Sequence, residues 1–310
     1  MLYEGQKMKK LAYSSDDVGY TLAYDLGCLK AFDQGISTHA DVMFDSPHTV
    51  EMLHWLKERP WLSIGWHRHL WETPVADKAL IPHMVDEEGR FRWRHHNQQW
   101  MAEVPYEEAY IEFEAEMKLC HDILGKYPDI CSITKTEPDN ELERAFKDIC
   151  DKYDIMYGFK EDGRLERWNG LDMKSWCFGP NNTRLGDFTF QKGGFNPWTA
   201  GAKFNPPYDL AIFKEYNTSR NIMSITWEND DQICWTNGHT GYLDDYVMQE
   251  SSATIHRVEE LRGCVDPKVR EWIIANKIEL VNFKDALTGS HDYQDHLKEI
   301  NSDLWVGNFK

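Results

Sequence analysis

Along the chain, short apolar runs alternate with longer stretches in which apolar residues recur every three or four positions. This is the form that repeated strand-helix units around a parallel sheet leave in a sequence. Residues 10–14 predict a first strand, and Leu22, Leu26, Leu29 and Ala31 predict a helix over 20–34 that Gly35 stops. The pattern continues as strand 39–44, helix 49–59, strand 62–70, helix 106–125, strand 130–134 and helix 140–153. It closes with strand 222–227, the loop from Gly238 to Tyr242, helices 252–262 and 268–276, and strand 278–283. Two stretches, 71–103 and 158–207, lack periodicity and read as long loops over one end of the sheet, the place where function gathers. No linker composition or repeat divides the 310 residues, so one α/β domain over 1–310 is expected.

Charge and cysteine usage narrow the function classes. A formal net charge of −18, with no concentration of Lys and Arg, argues against nucleic acid and anionic membrane as partners and favours a cationic or neutral ligand. Seven cysteines without a CxxC pair indicate neither a disulfide framework nor a zinc-thiolate site. The first residues contain no apolar signal core, and no apolar run is long enough to span a bilayer, so a cytoplasmic protein is expected.

The candidate chemistry lies at predicted strand ends, where parallel-sheet enzymes carry their active sites. Asp16 and Asp17 end the first strand, just before Gly19. Adjacent carboxylates there can divide the work of hydrolysis, one holding a divalent metal and the other taking a proton from water. They can equally cap the following helix. His67 and His69, two apart on a predicted strand, point to one face, and with Asp17 they make an ordinary Asp-His-His metal set with a position open for water. His239, on the loop after a late strand, can protonate a leaving amine or alcohol. Arg90, Arg92, Arg94, His83, His95 and His96 form a basic cluster in the first long loop. It could read an anionic sugar, or be a solvated loop balanced by nearby Glu residues.

Taken in order, these residues resemble the YdjC-like (ChbG/HpnK) carbohydrate deacetylases. Ser15-Asp16-Asp17-Val18-Gly19 is similar to that family's "ADDFG", and Thr38-His39-Ala40-Asp41-Val42-Met43 to its "TSASLM". Gly65-Trp66-His67-Arg68-His69 resembles "GLHLN", and residues 85–91 resemble "LVDEDGRF". Gly238-His239-Thr240-Gly241-Tyr242 follows "HPGY", and the closing pattern continues through Glu260-Leu261, Asp266-Pro267 and Val281-Asn282-Phe283. The resemblance implies a distorted, TIM-like (β/α) barrel, often dimeric, that binds a divalent ion such as zinc or magnesium and removes N-acetyl groups from amino sugars or their oligosaccharides. It implies Asp16 as general base, Asp17 and His67 as metal ligands, and His239 as general acid or oxyanion-side partner.

The family's third ligand comes from a histidine-rich strand end, "THxDSHQHVH". Here the corresponding stretch, 131–140, has no histidine, and Thr136 stands at the ligand position. His39, His69 and Glu137 are the replacements available, and His69 is preferred for its spacing from His67. Thr240 replaces the proline after His239, which should loosen that loop. The competing reading is a diverged member that has lost the metal, binding a carbohydrate or acting on a different small amide.

Overall fold

The structure is a computed structural model, and it describes residues 8–92, 103–131, 140–157, 173–175, 218–230, 232–251 and 254–309. Among the described residues, seven parallel strands form one sheet: β1 (Lys10–Val18), β2 (His39–Val42), β3 (Ser63–Trp66), β4 (Ile130–Cys131), β5 (Met173–Ser175), β6 (Ile233–Gly238) and β7 (Glu279–Leu280). Their order is β4-β3-β2-β1-β6-β5, with β7 paired to the start of β1. Parallel neighbours need crossover connections, and the intervening helices supply them. These are α1 (Leu22–Gln34), α2 (Thr49–Lys57), α3 (Tyr106–Leu124), α4 (Glu141–Lys152), α5 (Thr218–Met223), α6 (Asp245–Glu250), α7 (Ile255–Cys264), α8 (Pro267–Ala275), α9 (Phe283–Thr288) and α10 (Asp292–Glu299). The sheet curls into a half-barrel inside this helical layer.

Local chemistry explains the boundaries. The Thr21 hydroxyl accepts from the Tyr24 N–H to start α1, Asp266 caps α8 ahead of Pro267, and Gly125 ends α3 in the left-handed conformation. Beneath the sheet, Trp66 lies against Phe113 and Phe146, with ring centroids 5.4 and 4.0 Å away, and all three are buried. Six cysteines among the described residues are free and buried.

The predicted strand over 222–227 is not found. Ile222 and Ile225 are buried at the end of and just after the short α5, which packs on α7. The strand lies later, because Ile233-Cys234-Trp235-Thr236 is the continuously buried run, and it pairs with β1 from Lys10–Ile233 to Ser15–Gly238. The strand predicted over 62–70 ends at Trp66, and Leu70 has φ +56°. Of 278–283 only Glu279–Leu280 pairs, because Asn282 already caps α9. The first long loop is packed in its described part: Ile81, Met84 and Phe91 are buried, and Val85 bridges Phe91 around Gly89. Most of 158–207 lies outside the described residues.

Candidate active site

In a regular strand, neighbouring side chains point to opposite faces, so Asp16 and Asp17 should not both reach one site. A bulge in β1 resolves this. Between Ser15 and Val18 the strand carries one more residue than β2 does between Ala40 and Val42, and Asp17 sits at φ +57°. Aspartate tolerates this left-handed conformation better than most side chains, and such strain concentrates at functional sites. Both carboxylates are buried and both lie within electrostatic reach of His67 and His239.

Asp16 is held by the Ser14 hydroxyl, 3.0 Å from Oδ1, and by the Asn237 amide, which donates to Oδ2. Burial raises its carboxyl to about 6, with His239 opposing the shift and Asp41 adding to it. Asp17 shifts the other way. Burial alone would raise it, but Arg257, then His239 and His67, more than offset this and hold it well below the usual carboxylate range. Two adjacent carboxyls are thereby differentiated, as the division of roles between a base and a fixed anion requires.

His67 lies just past the end of β3, with Nε2 3.1 Å from Asp17 Oδ1 and Nδ1 2.7 Å from Asp41 Oδ2. Burial works against its proton, and Asp41 and Asp17 more than restore it, raising its pKa well above the ordinary value. His239 follows β6, with Nε2 3.7 Å from Asp17 Oδ2 and Nδ1 3.1 Å from Glu260 Oε2. Glu260 also accepts the His239 backbone N–H, so one carboxylate fixes both the loop and the ring. Thr240, in place of the family's proline, does not loosen this loop. It is buried, and its hydroxyl lies 2.6 Å from that of Ser15 on β1. A side chain at Gly241 would overlap the Tyr24 ring, which keeps the loop pressed against α1.

The structure therefore brings Asp16, Asp17, His67 and His239 together and places His69 elsewhere. Because β3 stops at Trp66, the two-residue spacing no longer puts His67 and His69 on one face. His69 Nδ1 lies 3.4 Å from Asp45 Oδ1, with the ring edge-on to Tyr20. His39 stands behind Asp41, with Nδ1 2.7 Å from Ser63 Oγ, and burial lowers its pKa to about 4. Thr136 and Glu137 lie outside the described residues.

Asp17 and His67 fit as two ligands of a divalent cation. Their facing atoms are 3.1 Å apart, close to the edge of a shell with bonds of about 2.1 Å. Among the described residues, no group of three His, Cys, Asp or Glu side chains completes such a shell. The second oxygen of Asp17 accepts from Arg257 Nη1 at 2.6 Å.

Four contributors escaped the sequence reading: Arg257, Glu260, Asp41 and Asn237. Arg257 is buried on α7, packs over the rings of Tyr20 and Tyr24, and donates to Ser251 Oγ at 3.0 Å. Arg257 and Glu260 are three apart, on the same buried side of the helix as Leu261 and Cys264. Charged residues interrupting a buried helical stripe are the signal that could have found them. The basic loop cluster, where it is described, is paired at the surface: Arg90 faces Glu72 at 3.5 Å, Arg92 donates to Val85 O, and His83 lies beside Glu108, while Arg94, His95 and His96 lie outside the described residues.

Comparison with known proteins identifies the family and the fold. The family model described as YdjC-like protein matches residues 10–275. A carbohydrate deacetylase of Enterococcus faecalis is 33% identical over 282 residues, covering 89% of this chain and 97% of the relative. Carbohydrate deacetylase 2 of Listeria innocua is 24% identical over 283 residues, covering 89% and 98%. A crystal structure from Enterococcus faecalis, provisionally described as a cellobiose-phosphate cleavage protein, superposes with a TM-score of 0.60 at 22% identity, covering 91% of this chain and all of that one. No helix among the described residues is long and apolar enough to cross a membrane.

Proposed function

The chain belongs to the YdjC-like family, and from that premise we propose that it is a metal-dependent hydrolase that removes the N-acetyl group of an amino sugar or its oligosaccharide. The observation that carries this reading is the convergence of Asp16, Asp17, His67 and His239 at the ends of β1, β3 and β6.

In this reading Asp16 accepts a proton from the attacking water, whose oxygen bonds to the acetamide carbonyl carbon. The C–N bond then breaks, and His239 Nε2 gives its proton to the departing sugar nitrogen, leaving acetate and a free amine. Glu260, 3.1 Å from Nδ1, stabilises the charged imidazole that this step needs. Asp17 and His67 would hold the divalent cation, which when bound polarises the carbonyl and lowers the pKa of water. Arg257 keeps Asp17 ionised and oriented.

The test is acetate release from N-acetylglucosamine oligosaccharides by the full chain supplied with zinc, magnesium, cobalt or manganese. Asp16→Asn and His239→Asn should each lower kcat by about 10²–10⁴. Wild-type levels of acetate release from Asp16→Asn would sink the reading. The alternative, a barrel that binds a carbohydrate without cleaving it, is favoured by Arg257 occupying one oxygen of Asp17. Saccharide binding with no acetate released under any of the four metals would decide for it.

A further inference from the structure

We propose that Asp41 is a positioning residue that fixes the orientation of His67, so that Nε2 of the ring is presented to Asp17 and the cation. The inference rests on the functional reading above for the cation, and on geometry alone for the ring.

Asp41 is buried on β2, one strand over from His67. Its Oδ2 lies 2.7 Å from His67 Nδ1, within hydrogen-bond range, while His67 Nε2 faces Asp17 on the opposite side. The ring is thus gripped at both nitrogens by carboxylates from two strands. Its orientation follows from the sheet register rather than from the irregular chain after Trp66. The sequence makes room for this arrangement. A Cβ at Gly65, which pairs with Asp41 across the sheet, would overlap both Asp41 Oδ1 and His39 Nε2. His39 is itself fixed from behind by Ser63. Ser63 holds His39, and Asp41, beside His39, holds His67, so that these side chains form a polar line that ends at Asp17.

This line is a feature of this chain. In the motif that residues 38–43 resemble, serine stands at the positions of both His39 and Asp41. A carboxylate on the far nitrogen of a ligand histidine sets the tautomer and raises the basicity of the coordinating nitrogen. Such support matters most where the protein supplies few ligands, and here no group of three candidate ligands is found among the described residues.

The experiment compares full-length wild type with Asp41→Asn and Asp41→Ser. Zinc affinity is measured by calorimetry on the metal-free protein, and the His67 Nδ1 proton is followed by NMR with ¹⁵N-labelled histidine. Zinc should bind about 10–100-fold more weakly in both variants, and the downfield Nδ1 proton of wild type should vanish in Asp41→Ser, which lacks the carboxylate. Unchanged zinc affinity together with an unchanged proton resonance in both variants overturns the proposal. If wild type binds no zinc yet Asp41→Ser loses the resonance, the positioning of His67 stands and the metal-dependent reading fails. Asp41→Asn, nearly isosteric, keeps the comparison valid should the serine variant not fold.

Discussion

Arg257 Nη1 donates to Asp17 Oδ2 at 2.6 Å, joining residues 240 positions apart in a buried ion pair between the first strand and a C-terminal helix. Removing one partner of such a pair leaves an uncompensated buried charge. Arg257→Met should therefore cost about 3–5 kcal/mol in urea unfolding. In the double variant with Asp17→Asn the added loss should be much smaller. Equal losses with and without Asp17 would mean that Arg257 acts through its packing on Tyr20 and Tyr24 alone.

Thr240 and Ser15 meet hydroxyl to hydroxyl, and each replaces a different residue of the family motifs. Thr240→Val keeps the shape and removes the bond, so it should cost about 1 kcal/mol. The cost should largely disappear in a Ser15→Ala background, because the partner group is then gone too. A thermal-denaturation double-mutant cycle reads this coupling directly, and strict additivity would refute it.

Asp25 contributes a pH dependence. It is fully buried, accepts from the Gly19 N–H at 2.8 Å and lies 2.7 Å from His48 Nδ1. Burial raises its pKa to about 6, and the bond to Asp25 raises that of His48. Both shifts mean that the folded chain binds more protons than the unfolded one, so stability from this pair falls as pH rises. The Asp25 part is complete below about pH 4 and is lost through about pH 6; the His48 part is lost above the ordinary histidine range. Asp25→Asn can keep both hydrogen bonds without titrating. Between pH 4 and 8 its unfolding free energy should gain on that of wild type by up to about 3 kcal/mol. Parallel pH profiles for the two proteins would contradict this.

The core under the site is close-packed around Trp66. Phe113, fully buried and edge-on to Trp66 and Phe146, should cost about 3–5 kcal/mol when replaced by alanine. Chemical denaturation measures this, and a loss below about 1 kcal/mol would mean that the site collapses around the cavity.

The sequence by itself determined the alternation of strands and helices, the family, and four of the residues that meet in the site. Asp16, Asp17, His67 and His239 carry their chemistry in local motifs, and strand-end placement follows from periodicity. Tertiary structure decided the rest, because the remaining contacts depend on how segments pack. His69 matched the two-residue spacing, yet β3 stops at Trp66, and the ring turns to Asp45. Adjacent Asp16 and Asp17 share a site only because β1 bulges against β2, a register effect invisible in one strand read alone. The strand expected near Ile222 lies at Ile233 because pairing with β1, rather than local hydrophobicity, selects which apolar run extends. Arg257, Glu260 and Asp41 are ordinary charged residues in the sequence. Folding makes them partners of Asp17, His239 and His67 by burying each beside an opposite or hydrogen-bonding group from a distant segment.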